Sequence, residues 1–191
     1  MKQSRKKKNN KIRIIILEGE SDKHFFKELK KQFDIKKFDI SPLLKEGLNF
    51  KKINREVKAS IEVLEYKEVW LVMDLKTRKP GSEKDYTTKH EIIADYRMKI
   101  QEQDKVDYIV MVLDLECWLL LYFSRHNNTE TIKNSKKKLK KVMGIRGSLS
   151  ETITVKRLMK KTDFWEKLLS NKGKNKSFLD FSNKIGIDIK N

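Results

Sequence analysis

The chain has 191 residues, and its 45 Lys and Arg outnumber its 27 Asp and Glu to give a formal net charge of +18. This length suits one domain with a modest extension, and the few prolines and glycines argue against low-complexity disorder. No apolar run reaches the roughly 20 residues that cross a bilayer, and no secretory signal is visible, so we expect a cytoplasmic protein that does not enter membranes.

The positive charge is concentrated at both ends of the chain. Residues 1–13 carry a net +7 and residues 125–191 a net +12, whereas residues 14–124 are close to neutral at −1. Such flanks would attract a phosphate backbone without sequence specificity, so nucleic acid is the expected partner. Biased codon usage could also enrich lysine, but it would not leave the middle of the chain balanced.

The first predicted elements are a basic arm, a strand and a helix. Residues 1–11 are expected to be disordered. The apolar run 12–17 predicts a buried strand that ends at Glu18 and Gly19. The spacing of phenylalanines and leucines then predicts a helix over about 21–33.

Two more strands and a helix follow. A weaker strand is predicted at about 38–44, interrupted by Pro42, because proline suits sheet edges and strand ends. An amphipathic helix follows, with inward positions at Phe50, Ile53, Val57, Ile61 and Leu64. The run 69–73 predicts a buried strand that ends at Asp74.

The remaining elements alternate in the same way. A helix is predicted over about 88–103, with Ile92, Ile93, Tyr96 and Ile100 facing inward. A strand at 108–113 ends near Asp114 and Glu116, and a buried helix at 117–123 follows, with Cys117 as a small buried hydrophobic side chain. Strands that alternate with helices predict an α/β fold with a mainly parallel sheet of about four strands, flanked by helices.

The C-terminal region is predicted to be a basic helical extension over 126–191. Lys136, Lys137, Lys138, Lys140 and Lys141 form a dense cationic stretch. We interpret them as a solvated face by default and as nucleic-acid-binding residues if they lie beside the acids. A later helix carries Phe164, Trp165, Leu168 and Leu169.

Three strands thus end in acids, and carboxylates gathered at one sheet edge usually need a cation. Hard oxygen ligands favour Mg²⁺ or Mn²⁺. The three histidines, His24, His90 and His126, show no paired spacing, which argues against zinc. Shorter acids also cap helices, so Asp114 could be a cap, and Glu20 and Asp22 could simply favour the start of the first helix.

Two motifs resemble a known family. Glu18-Gly19 after an apolar strand, with Asp74 ending a later one, resembles the Toprim domain of topoisomerases, primases and small nucleases. Residues 116–123, Glu-Cys-Trp-Leu-Leu-Leu-Tyr-Phe, resemble the Glu-x-Trp-Leu-Leu-Leu-His-Phe motif of RloB-like small Toprim proteins, which often accompany an ATPase in defence systems. These matches assign residues 12–125 to a Toprim-like α/β domain.

The resemblance implies a Rossmann-like fold in which Glu18 is a metal ligand or general acid/base and an Asp-x-Asp motif holds Mg²⁺. This chain has Asp74-Leu75-Lys76, so lysine replaces the second acid. Lys76 could contact a phosphate instead. Glu116 is the best substitute ligand, because its counterpart in the family is also glutamate; Asp114, Glu83 and Asp85 are weaker candidates.

These observations predict a metal-dependent phosphodiesterase, a nuclease acting on DNA or RNA, with Glu18, Asp74 and Glu116 as catalytic residues and with Asp114 as a further metal ligand. The family analogy suggests a defence role with an ATPase subunit. The alternative is a non-catalytic nucleic-acid-binding or defence-complex subunit on a degenerate Toprim scaffold, which Lys76 favours. An RNA-associated structural protein would explain the charge but not the acids at strand ends.

Overall fold

A computed structural model describes residues 9–17, 19–42, 50–74, 89–101, 103–111, 115, 119, 132–142, 144, 151–161, 163–170 and 176–187. Its strands are β1 (Asn9–Ile16), β2 (Phe38–Pro42), β3 (Tyr66–Asp74) and β4 (Val106–Met111). Its helices are α1 (Glu20–Gln32), α2 (Phe50–Lys58), α3 (Lys89–Lys99), α4 (Ile132–Val142), α5 (Glu151–Met159), α6 (Phe164–Ser170) and α7 (Lys176–Ile185).

The four described strands form one sheet in the order β2-β1-β3-β4, and every neighbouring pair is parallel. Helices cover both faces, so the protein is an α/β protein whose architecture is consistent with a Rossmann-like fold, as predicted. The edge position of β2 agrees with Pro42, its last residue, because proline cannot donate a hydrogen bond to a further strand.

Side chains on β1 alternate between the two faces of the sheet, and both faces are buried. Ile14 and Ile16 face α1 and the C-terminal helices, whereas Ile15 and Leu17 face α2 and α3. The strand is therefore apolar at consecutive positions, which is the pattern that made it recognisable in the sequence.

The C-terminal helices share the core on the α1 face of the sheet. Phe164 and Trp165 of α6 and Phe178 and Phe181 of α7 are buried in the same cluster as Phe25 of α1. The ring of Phe181 lies 5.2 Å from that of Trp70 in β3. The basic extension therefore packs directly on the sheet.

Several predicted boundaries were wrong in detail. The strand β1 begins at Asn9, so the last residues of the predicted basic arm are paired in the sheet. The second helix changes to a π-helical turn at Ala59–Val63, which rotates the apolar stripe and leaves Leu64 45% exposed instead of inward. The helix α3 ends at Lys99, and a 3₁₀ turn occupies Gln103–Lys105.

In the described part of the chain, no helix is both long and apolar enough to span a membrane.

Candidate functional site

The strands β1 and β3 reach the carboxyl edge of the sheet side by side. Ile16 pairs with Val72, and the N–H of Leu17 donates a hydrogen bond to the carbonyl oxygen of Val72 at 3.0 Å. Asp74 is the half-buried last residue of β3 and lies in register with Met111, the last residue of β4. Asp74 therefore lies at the edge where open parallel sheets bind ligands.

The turn from β1 into α1 brings a second carboxylate to the same edge. Gly19 has φ +85°, and a Cβ atom at this position would lie 2.2 Å from Oδ2 of Asp22. Asp22 belongs to the first turn of α1 and is only 3% exposed. The carboxylate thus folds back against the glycine, close to the positive N-terminal end of the helix.

The sequence interpretation gave Asp22 no role beyond the helix start, although one signal was available. Asp22 precedes Phe25, Phe26 and Leu29 at spacings of three, four and seven, so it lies on the buried stripe of α1. An acid on an apolar stripe needs a polar environment, because burying a carboxylate among apolar side chains is costly.

Several predicted site residues lie outside the described residues. They are Glu18, Lys76, Asp114 and Glu116, together with the weaker candidates Glu83 and Asp85. The backbone of Lys136 is part of α4, but its side chain also lies outside the described part. Their predicted roles stay predictions, and Asp74 is the described member of the predicted acid set.

The described acids have the chemistry that a hard divalent cation requires. Mg²⁺ commonly takes one or two protein carboxylates and completes its coordination with water and substrate phosphate. Asp74, a half-buried carboxylate at the carboxyl edge of the sheet, fits that demand. Among the described residues, no group of three or more His, Cys, Asp or Glu side chains is arranged to hold a metal ion.

A cationic surface lies beside the start of α1, where α5 packs against α1. Burial lowers the pKa of His24, and the charge of Lys156 lowers it further, with smaller contributions from Lys23 and Lys27 in the same direction. Lys27 and Lys156 are exposed. We call the side chains Lys23, Lys27 and Lys156 the α1–α5 basic surface. His24 is about one turn from Gly19, so this surface reaches towards the carboxyl edge.

The predicted lysine stretch lies on α4. Leu139 is fully buried and anchors this helix in the core on the α1 face. Lys137 and Lys141 are exposed, and Lys138 and Lys140 are half-buried. The sequence interpretation did not single out the cations of α5, because they are interleaved with apolar residues and become a surface only when α5 packs on α1.

A model of a protein family described as "RloB-like protein" matches residues 13–178 of this chain. The match begins within β1 and extends through the other three strands and the C-terminal helices to the first part of α7. No curated protein matches, and no solved structure matches.

Proposed function

The chain belongs to the RloB-like protein family, and from this membership and the carboxyl edge of its sheet we propose that it is a metal-dependent phosphodiesterase of the Toprim type, a nuclease acting on DNA or RNA. The observation that carries the proposal is the parallel register, which places Asp74 at the edge where β1 also ends. Glu18 follows Leu17 directly in the chain.

The proposed site gathers acids from the ends of β1 and β3 and from the segment that follows β4. Asp74 would hold Mg²⁺ or Mn²⁺, with Glu116 and Asp114 as further ligands and Glu18 as a ligand or proton-transfer group. A bound Mg²⁺ supplies polarisation of the scissile phosphate and a more acidic water. Lys76 would contact a phosphate oxygen rather than the metal.

Substrate would be held by cations of the helices that cover the α1 face of the sheet. The α1–α5 basic surface offers Lys27 and Lys156 to a phosphate backbone, and the lysines of α4 extend the positive charge. Lys and Arg that neutralise phosphates bind without sequence preference and more weakly as salt rises. A defence role with an ATPase subunit, in the cytoplasm, is the family analogy that accompanies this proposal.

The test is a cleavage assay with the purified full chain on single- and double-stranded DNA and RNA. We expect cleavage in Mg²⁺ or Mn²⁺ and none in EDTA. Asp74→Asn removes a ligand charge without changing shape, so we expect at least a hundredfold loss of rate. Asp104→Asn makes the same exchange at an exposed acid before β4 and should cleave like the wild type.

The second candidate is a nucleic-acid-binding subunit without catalysis, which Lys76 favours because it stands where the motif has its second acid. The same samples separate the two functions. Salt-sensitive binding with no cleavage in any metal would contradict the nuclease proposal and support the non-catalytic binding subunit. Cleavage that Asp74→Asn leaves intact would contradict the proposed site.

A further inference from the structure

A groove runs along the outer side of β4, between α3 and α7, and encloses a cavity of about 430 Å³. On the α3 side, His90, Ile93 and Arg97 follow one another at spacings of three and four, so they share one face of the helix. On the α7 side, Asp180 and Lys184 lie at a spacing of four and share a face in the same way. The volume is in the range of pockets that bind small molecules.

One end of the groove offers hydrogen-bond donors that the described residues leave unused. Tyr108 is 5% exposed, and its buried hydroxyl has no hydrogen-bond partner among the described residues. Burial raises the pKa of Tyr108 to about 12; the nearby charge of Arg97 opposes this shift, and the charge of Asp107 adds to it. The hydroxyl is therefore a permanent donor at neutral pH, with an exposed guanidinium close to it.

Buried hydroxyl groups are normally hydrogen-bonded, because an unsatisfied polar atom loses its hydration without compensation. In the described part of the protein, Arg97 makes no ion pair either. A guanidinium beside a phenol hydroxyl matches an anionic group with several acceptor oxygens, which the arginine can bind through two parallel hydrogen bonds.

The other end of the groove offers acceptors. Asp107 projects from β4 and is 47% exposed at its side chain, and Lys184 Nζ lies 3.7 Å from its carboxylate. Asp180 on α7 is exposed. These two carboxylates would accept hydrogen bonds from hydroxyl or amino groups, so the groove is complementary to a ligand with an anion at one end and donors at the other.

The groove is separate from the proposed catalytic edge. Asp107 pairs with Trp70, which precedes Asp74 by four residues in β3. Four residues of strand span about 13 Å, so the two sites lie at different levels of the sheet. A small molecule in the groove would not occupy the carboxyl edge.

We propose that the α3–α7 groove binds a nucleoside monophosphate or a ligand of the same chemistry. Its phosphate lies between Arg97 and the hydroxyl of Tyr108, and its sugar hydroxyls or base amino group donate to Asp107 and Asp180. Ile93 provides an apolar wall, and His90 lines the groove two turns further along α3 from Arg97.

The test is isothermal titration of the full chain with AMP, GMP, CMP and UMP, each separately, in EDTA. We expect saturable binding of at least one nucleotide. The matching nucleoside and inorganic phosphate should each bind at least tenfold more weakly, because each lacks one end of the ligand. Absence of binding for all four nucleotides, or inorganic phosphate binding as tightly as the nucleotide, would overturn the proposal.

Two variants locate the site. Arg97→Gln and Tyr108→Phe should each weaken nucleotide binding at least tenfold, and the second keeps the ring that packs on Tyr96. Lys99→Gln removes a positive charge from the same helix at a side chain that lies over the ring of Phe50, so its affinity should match the wild type. Thermal melting verifies that each variant is folded, and unchanged affinity in either of the first two refutes the assignment.

The nucleotide-binding proposal and the nuclease proposal can be refuted separately. Asp74→Asn should bind the nucleotide like the wild type, because the titration contains no divalent metal and Asp74 lies outside the groove. Loss of nucleotide binding in Asp74→Asn would contradict two separate sites.

Discussion

At the scale of single residues, the junction of β1 and α1 depends on Gly19. The backbone there has φ +85° and ψ +119°, a conformation that L side chains rarely adopt, and Asp22 occupies the space of a side chain. Glycine therefore meets two requirements at this position: it allows the positive φ, and it leaves room for the carboxylate of Asp22. The glycine was predicted from the sequence as a turn, but the contact with Asp22 depends on the packing of α1.

Gly19→Ala tests both requirements together. We expect a loss of about 2–4 kcal/mol in the free energy of unfolding, since the strained backbone and the contact with the Asp22 carboxylate both oppose the methyl group. Gly144→Ala is the matched control: it also has positive φ, but its nearest neighbour would be Lys161 Nζ at 3.7 Å. Urea denaturation should show the control losing about 1 kcal/mol. Equal losses in both variants would contradict the contact with Asp22.

The order of elements followed from the sequence, whereas their ends did not. The apolar runs identified β1, β3 and β4 because short runs of consecutive apolar residues are typical of strands covered on both faces. The polar ends of these strands, such as Asn9–Lys11 and Tyr66–Glu68, are held by pairing with neighbours rather than by their own composition. Val63 and Leu64 are exposed because one π-helical turn shifts the helical phase.

The element α7 is attached to β3 by a charged cluster. Lys184 pairs with the buried carboxylate of Glu68, which also accepts a hydrogen bond of 2.6 Å from Nε1 of Trp70. Burial raises the pKa of Glu68 above its usual value, while Lys184 opposes that shift. The ionised form of the Glu68 carboxylate is therefore stabilised by a lysine of helix α7.

Lys184→Ala should destabilise the protein more at pH 8 than at pH 5. A carboxyl group whose folded pKa is raised costs stability as pH rises through that pKa, and removing the lysine raises it further. We expect a loss of about 1–3 kcal/mol at pH 8, less than for a fully buried pair because Lys184 is 40% exposed. Urea denaturation at both pH values measures the difference.

Two controls accompany Lys184→Ala. Lys167→Ala removes an exposed pair with Asp163 on the neighbouring helix and should change stability little at either pH. Adding Glu68→Gln to Lys184→Ala should remove the difference between the two pH values. A difference that persists in the double variant would assign the pH dependence to another group.

At the scale of the whole molecule, the sheet and the C-terminal helices form one cooperative body. One face of the sheet packs against α2 and α3, and the other against α1 and α4–α7. Phe25 of α1 touches both Trp165 of α6 and Phe178 of α7, with ring centroids 5.9 and 6.3 Å apart. Neither the sheet nor these helices can bury its apolar side chains alone.

Unfolding in urea should therefore be a single transition. The transition measured by the fluorescence of the three tryptophans, which include Trp70 in the sheet and Trp165 in α6, should coincide with the transition measured by far-ultraviolet circular dichroism. Phe181→Ala should shift both curves equally and cost about 3–5 kcal/mol, because its ring contacts Phe26, Phe38 and Trp70. Loss of the circular dichroism signal at a lower urea concentration than the fluorescence change would contradict a shared core.

The sequence by itself determined the fold class, the parallel sheet and Asp74 as the end of a strand, because local apolar runs and the residues that end them are written in the order of the chain. Tertiary structure alone decided which groups of different elements lie near one another, such as Lys156 near His24 and Arg97 near Tyr108, and how the carboxylate of Asp22 packs against Gly19. These arrangements form when the helices pack on the sheet. The order of residues in the sequence does not give the distances between side chains of different elements.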